Sequence, residues 1–100
     1  MDIRVGTIIN ARPHPAARTP AFQLEIDFGD LGVRRSSAQL TARYSPDSLP
    51  GRQVVAVVNF PPRRVADFTS DVLVLGAMVG SGDVILLQPE QPAPNGTRIG

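Results

Sequence analysis

Hydrophobic and polar residues alternate most clearly between positions 21 and 28. Every second residue from Phe22 to Phe28 is large and apolar, and the residues between them are Gln, Glu and Asp. A period of two predicts a half-buried antiparallel strand. The sequence Gly-Asp-Leu-Gly at 29–32 predicts a tight turn, so residues 33–40 are expected to pair back as a hairpin.

Other strands are predicted on either side of this hairpin. Residues 3–11 are β-rich and predict an opening strand, which Pro13 and Pro15 end because proline lacks the N–H that a sheet requires. Residues 45–49 predict one short helical turn, with Ser45 as its N-cap and Pro46 at its first position.

Three later segments are apolar at consecutive positions, namely residues 54–58, 72–75 and 84–87. A strand that is apolar on both faces needs cover on both faces. The interior of a small barrel covers one face, and no long amphipathic helix is available for the other. We therefore expect a second copy of the chain to cover it, which predicts a homodimer. Cover by loops and the proline-rich tail is the alternative.

Five to seven strands, one helical turn and frequent Gly and Pro predict an all-β chain forming one domain over residues 1–100. A small closed or nearly closed barrel accommodates these elements. The OB-fold, a five-stranded Greek-key barrel with an element between strands three and four, has this inventory. The pattern is also compatible with an SH3-like barrel or a small sandwich.

The composition excludes several kinds of chemistry. The 100 residues include no Cys and one His, so disulfides, thiolate nucleophiles and cysteine-ligated metals are excluded. His14 lies between two prolines and is expected at the surface of a loop. Because no G-x-S-x-G sequence or phosphate-binding glycine loop is present, we expect a non-catalytic protein without cofactor or metal.

The same composition bears on location. No apolar run approaches the roughly 18–20 residues of a membrane-spanning helix, so membrane insertion is not expected. The first residues do not combine a basic stretch with a long apolar stretch, so no signal peptide is expected. Together with the absence of Cys, these features favour a cytoplasmic protein.

Arginine is the first candidate for ligand binding. All ten basic residues are Arg, although the net charge is only +1. Arg63 and Arg64 follow a double proline in a predicted loop, and Arg18 lies in another. Arginines in loops reach phosphates readily through their planar guanidinium groups. A solvated surface is the alternative for each of them.

Polar residues at unexpected positions add to this surface. Five of them interrupt or end apolar strands, and at a barrel mouth they would meet bases, sugars or a peptide backbone: Ser36, Ser37, Gln39, Asn59 and Ser70. Trp is absent and Tyr occurs once, so stacking rings are scarce. Phe60, Phe68 and Tyr44 are the candidate exposed rings. This favours recognition of folded RNA by shape and backbone over sequential base stacking.

Several sequence blocks occur in the same order in one known family: Asp2-Ile3-Arg4-Val5-Gly6-Thr7-Ile8, Ser36-Ser37-Ala38-Gln39-Leu40, Val57-Val58-Asn59-Phe60-Pro61-Pro62-Arg63, Ser70-Asp71-Val72-Leu73-Val74-Leu75-Gly76 and Pro94-Asn95-Gly96-Thr97-Arg98-Ile99. Through them the chain resembles the CsaA-type tRNA-binding domain proteins, small bacterial proteins described as secretion chaperones. More distantly, it resembles the tRNA-binding module of bacterial methionyl-tRNA synthetases.

The resemblance implies an OB-fold with extra terminal strands, a homodimer, and binding to the outer elbow of tRNA. The polar positions of that family map onto Ser36, Ser37, Gln39, Asn59 and Ser70, and its basic positions map onto Arg63 and Arg64. A dimeric RNA-binding protein is thus the first hypothesis.

Two alternatives stay open. The first is a protein-export chaperone that binds unfolded preprotein segments in an apolar groove at the dimer seam, with Phe60, Phe68 and residues 72–75 as the peptide-binding surface. The second is a partner that acts in trans with a synthetase lacking this module.

Overall fold

The computed structural model describes all of residues 1–100 and is almost entirely β-structure. Its nine strands are β1 (Ile3–Pro13), β2 (Phe22–Asp27), β3 (Val33–Ala38), β4 (Gln53–Val57), β5 (Arg63–Val65), β6 (Phe68–Ser70), β7 (Leu73–Val74), β8 (Gly76–Gly80) and β9 (Asp83–Leu86). One 3-10 turn, Gly29–Leu31, joins β2 to β3. No helix in the structure has the length and hydrophobicity that crossing a membrane requires.

Five strands form a nearly closed antiparallel barrel in the order β3-β2-β1-β4-β7. Hydrogen bonds complete it between β3 and the residues just before β7, since the Asp71 N–H donates to the Arg35 carbonyl at 2.8 Å. This arrangement confirms the predicted OB-fold. The alternating residues of β2 point inward as predicted, and Phe22, Leu24 and Ile26 are buried.

The core fills the barrel with residues from β1, β2 and β4, from the segments that follow β2 and β3, and from the residue that precedes β7. Its ten buried members are Ile8, Phe22, Leu24, Ile26, Phe28, Leu40, Leu49, Val54, Ala56 and Val72. Gly6 on β1 lies directly over this core: a Cβ atom there would stand 2.6 Å from Ile26 Cγ2 and 2.7 Å from Phe28 Cε1. The absence of a side chain at Gly6 thus lets β1 pack against the two large residues.

The cover on the outer face of β4 comes from the same chain. Val54 and Ala56 face the core, and Val55 is buried on the opposite side beside Val5 of β1. The C-terminal segment lies along β1, where the Val5 N–H donates to the Thr97 carbonyl at 2.9 Å. β4 is therefore covered within a single chain. The homodimer expected from the three apolar segments stays a prediction.

Arg4 ties the N-terminus to this tail. Its Nε donates to Asp2 Oδ1 at 2.7 Å and its Nη1 donates to the Gly96 carbonyl at 3.0 Å. The hydrogen bond from Arg4 holds the pKa of the Asp2 carboxyl below its ordinary value. In the same way, Asp83 raises the pKa of Arg43 at the other end of the molecule.

Two short hairpins lie outside the barrel, and the sequence patterns predicted neither correctly. β5 and β6 pair antiparallel, so Arg63 and Arg64 stand on a strand and not in a loop. β8 and β9 form the second hairpin, of which only the β9 half was predicted. Strands of three to five residues contain too few residues to show a period.

The predicted helical turn at residues 45–49 is a hydrogen-bonded turn without helix. The Ser48 N–H donates to the Ser45 carbonyl at 3.0 Å. Ser48 Oγ also accepts the Ser45 N–H. Ser45 was expected to cap the turn with its side chain, but its backbone N–H is instead bound by the side chain of Ser48. Pro46 and Pro50 leave three residues between them, which is too few for a helix.

Candidate nucleic-acid interface

A groove of about 550 Å³ lies between the β5–β6 hairpin, the end of β3 and the loop that joins β1 to β2. Three arginines line it, Arg18 from the loop and Arg63 and Arg64 from β5, and no acidic residue does. We call it the arginine groove. Its electrostatic field favours an anionic ligand.

The guanidinium groups of Arg18 and Arg63 make no hydrogen bond within the chain, so both can bind a ligand. The ion pairs of the structure involve Arg4, His14 and Arg43, so none of the groove arginines is neutralised by a carboxylate. Arg64 is oriented by the chain itself, since its Nε donates to the Ala66 carbonyl at 2.9 Å. Ala66 has a φ of 54°, the left-handed conformation that this tight turn between β5 and β6 requires.

The walls of the groove contain most of the polar residues predicted from the sequence. Ser37 and Gln39 from β3 and the residues after it line one side, and Ser70 lies at the floor. Phe60 is 41% exposed and forms part of the lining, so the prediction of an exposed ring is confirmed there. Amide, hydroxyl and aromatic groups stand beside the three arginines, as a nucleotide ligand would require.

Other predicted residues lie elsewhere. Ser36 is 1% exposed and faces the barrel interior, with its Oγ 3.5 Å from that of Ser70. Asn59 is exposed but outside the groove, where its Oδ1 accepts the Asp2 N–H at 2.8 Å. In this structure both side chains stabilise the fold and neither reaches the groove.

Phe68 and His14 were expected at the surface, and both expectations are wrong. Phe68, the first residue of β6, is 4% exposed because it packs against His14 and Arg35. The rings of Phe68 and His14 pack edge to face with centroids 5.6 Å apart. The guanidinium of Arg35 lies 4.8 Å from the centre of the Phe68 ring, as in a cation–π contact. Phe68 thus anchors the β5–β6 hairpin, of which it is part, to β3 and to the loop after β1.

Sequence reasoning treated Arg18 only as one of several loop arginines. The structure adds it to the groove together with Thr19, through the fold of the β1–β2 loop. No local pattern indicates this, because the contact joins segments about 45 positions apart. The only indication in the sequence was that Arg18 lies in a proline-flanked loop, where residues are usually exposed and able to bind a ligand.

A second, apolar cavity of about 340 Å³ continues from the arginine groove. It shares Ser37, Gln39 and Leu73 with the groove and extends to Met78 and Val84 of the β8–β9 hairpin. None of its lining residues is charged. The combined surface is therefore cationic at one end and apolar at the other.

Comparison with known proteins shows the family to which the chain belongs. The chain matches the family model described as "Putative tRNA binding domain" over residues 3–98. The crystal structure of the chaperone CsaA from Bacillus anthracis has 58% sequence identity and a TM-score of 0.95, covering 99% of this chain and 90% of that one. For the CsaA chaperone protein from Picrophilus torridus the values are 46% and 0.90, covering 99% and 91%.

A more distant relative is a larger protein. The methionine–tRNA ligase of Methanococcoides burtonii is 32% identical over 99 residues, which is 99% of this chain and 14% of that protein. The chain thus spans about one seventh of the length of the ligase.

Proposed function

The chain belongs to the tRNA-binding domain family, and on this basis we propose that it binds tRNA, or RNA folded like tRNA, in the arginine groove without catalysing a reaction. The observation that carries the proposal is the convergence of Arg18, Arg63 and Arg64 on one groove that has no acidic lining residue. Phosphates of a folded RNA backbone are the anions such a groove fits.

In this proposal each residue of the groove has its own contact with the RNA. Arg63 and Arg64 contact phosphates, and Arg18 contacts a phosphate on the other side of the groove. Ser37 and Gln39 donate and accept hydrogen bonds at sugars or unpaired bases. Phe60 offers a partly exposed ring to a base that projects from the RNA. Ser36 and Ser70 hold the walls of the groove in place, and Asn59 binds the N-terminal segment outside it.

The experiment is a titration of labelled tRNA with the purified protein and with two double variants. Arg63→Ala with Arg64→Ala removes two charges from the groove. Arg52→Ala with Arg98→Ala removes two charges from exposed positions outside it. The first variant is expected to weaken binding about 10-fold or more, and the second about 2-fold or less. Equal losses in both would contradict the location of the site.

A second candidate function is supported by the apolar cavity. A preprotein segment of extended, apolar residues would occupy it, with the exposed Leu73 in its wall and the exposed Phe60 in the adjoining groove. Phe68, predicted as a second contact, is buried and would act only as support. The two relatives of known structure are described as chaperones. A labelled apolar peptide that binds and is not displaced by tRNA would favour this function at a separate site.

We also propose that the chain forms a homodimer. The support is the outward face of the β8–β9 hairpin, where Val79 and Ile85 are exposed next to Leu87. Two such faces in contact would bury apolar surface that one chain leaves in water. A dimer would present two arginine grooves to one RNA, which raises the affinity through simultaneous contacts.

A further inference from the structure

His14 stands at the neck of the loop that carries Arg18. Its N–H donates to the Ala21 carbonyl at 3.0 Å, and its carbonyl accepts the Ala17 N–H at 3.2 Å. Pro13 and Pro15 restrict the backbone on both sides of it. The loop thus leaves the barrel through one rigid residue, and beyond Ala17 it makes no further backbone hydrogen bond up to Pro20.

The side chain of His14 connects this loop to the opposite wall of the arginine groove. The imidazole is fully buried, and its Nε2 lies 3.2 Å from Oδ1 of Asp67. Asp67 occupies the turn between β5 and β6, on the hairpin that holds Arg63 and Arg64. One contact therefore joins the segment of Arg18 to the segment of the other two arginines.

The chemistry of the ring shows why histidine stands here. A carboxylate only accepts hydrogen bonds, so the bond to Asp67 assigns the proton to Nε2. The other nitrogen, Nδ1, is buried and has no hydrogen-bond partner. A phenyl ring would fill the same space against Phe68 without that unsatisfied atom. What imidazole adds is the bond to Asp67.

We propose that His14 and Asp67 are positioning residues for RNA binding: their hydrogen bond sets the distance of Arg18 from Arg63 and Arg64, so that all three contact neighbouring phosphates together. Neither His14 nor Asp67 touches the RNA. This inference rests on the proposed function, and its test separates the two.

The first measurement compares Asp67→Ala with Asp67→Asn in tRNA titrations. Both variants remove the carboxylate charge, but Asn retains an oxygen that accepts the Nε2 proton. Asp67 is an exposed side chain, so the fold tolerates either change. Asp67→Ala is expected to weaken tRNA binding about 3- to 10-fold, and Asp67→Asn less than about 2-fold. His14→Phe should behave like Asp67→Ala, since it keeps the ring and removes the bond.

The second measurement is a double-mutant cycle with Arg18→Ala. If Asp67 acts through Arg18, removing it from a chain that already lacks Arg18 should change affinity less than about 2-fold. A purely structural role would lower affinity by the same factor in both backgrounds. The control is Asp83→Ala, which breaks the exposed Arg43–Asp83 ion pair away from the groove and should leave binding unchanged.

Additive effects of Asp67→Ala and Arg18→Ala would overturn the inference, and so would equal affinities of Asp67→Ala and Asp67→Asn. If the unaltered protein binds no tRNA at any concentration tested, the proposed function fails. If it binds tRNA in the groove and these comparisons fail, only the positioning role does.

Discussion

Ser70 Oγ accepts a hydrogen bond from the backbone N–H of Ser37 at 3.1 Å, and this bond joins β3 to the end of β6 at the floor of the arginine groove. The same hydroxyl donates to the Val72 carbonyl at 3.1 Å. Two serines that the sequence suggested as RNA contacts are thus connected to each other. The bond belongs to the closure of the barrel and also fixes the wall on which Ser37 stands.

Ser70→Ala is therefore expected to destabilise the fold. It leaves the buried Val72 carbonyl and the partly buried Ser37 N–H without their partner, which costs about 1–3 kcal/mol. Urea unfolding measures the change, and Ser81→Ala in the exposed turn between β8 and β9 is the matched control. A variant as stable as the control would show that other contacts close the barrel.

Gly6→Ala is expected to destabilise the protein by about 1–3 kcal/mol, because a methyl group would collide with Ile26 and Phe28 in a filled core. Gly80→Ala offers the comparison, since the nearest atom to its Cβ would be 3.6 Å away. Thermal unfolding of both variants tests the difference. Similar melting temperatures would mean that β1 can move away from the core without cost.

The stability that Asp2 contributes is expected to depend on pH. Its pKa is lowered in the folded state, chiefly by the hydrogen bond from Arg4. The folded chain therefore favours the ionised carboxylate, and the resulting stability is present at neutral pH. It disappears as the pH falls through the lowered pKa.

Asp2→Asn removes this contribution. Urea midpoints of the variant and the unaltered protein should differ slightly at pH 7 and converge as the pH falls through the lowered pKa of Asp2. A constant difference across this range would show that Asp2 acts through something other than its charge.

The proposed dimer gives a prediction for the β8–β9 hairpin. Ile85→Glu places a charge on its outward apolar face and should convert a two-chain mass in light scattering into that of one chain. Val33→Glu puts the same charge on another exposed apolar position, at the start of β3, and should leave the mass unchanged. A single-chain mass for the unaltered protein would contradict the dimer.

The sequence predicted the parts of the fold that depend on repeated local patterns. The alternation in residues 22–28 identified β2 and its buried face, and the Gly-flanked turn identified its partner β3. β5 and β6 escaped prediction because each has three residues, and because β6 packs against β3 and His14, which are distant in the sequence. The burial of Val55 on the outer face of β4 depends on packing within the chain, which an apolar run alone does not reveal.

In the candidate site, too, local features were predicted and features that depend on distant contacts were not. Arg63, Arg64, Ser37 and Gln39 were recognised from residue type and position, and the structure brings them together. The burial of His14 and Phe68 could not be anticipated, since it results from two distant segments packing against each other. Ser36 was misleading because a polar residue inside a strand predicts either an exposed contact or a satisfied buried hydroxyl, and sequence alone does not distinguish them.

The dependence of tRNA affinity on salt concentration tests the arginine groove most directly. Each phosphate neutralised by an arginine adds to the slope of log Kobs against log salt concentration. Arg63→Ala with Arg64→Ala should make this slope shallower by about 1.5, which corresponds to two lost phosphate contacts. The Arg52→Ala, Arg98→Ala control should keep the slope of the unaltered protein. An unchanged slope in the groove variant would show that Arg63 and Arg64 do not contact the RNA backbone.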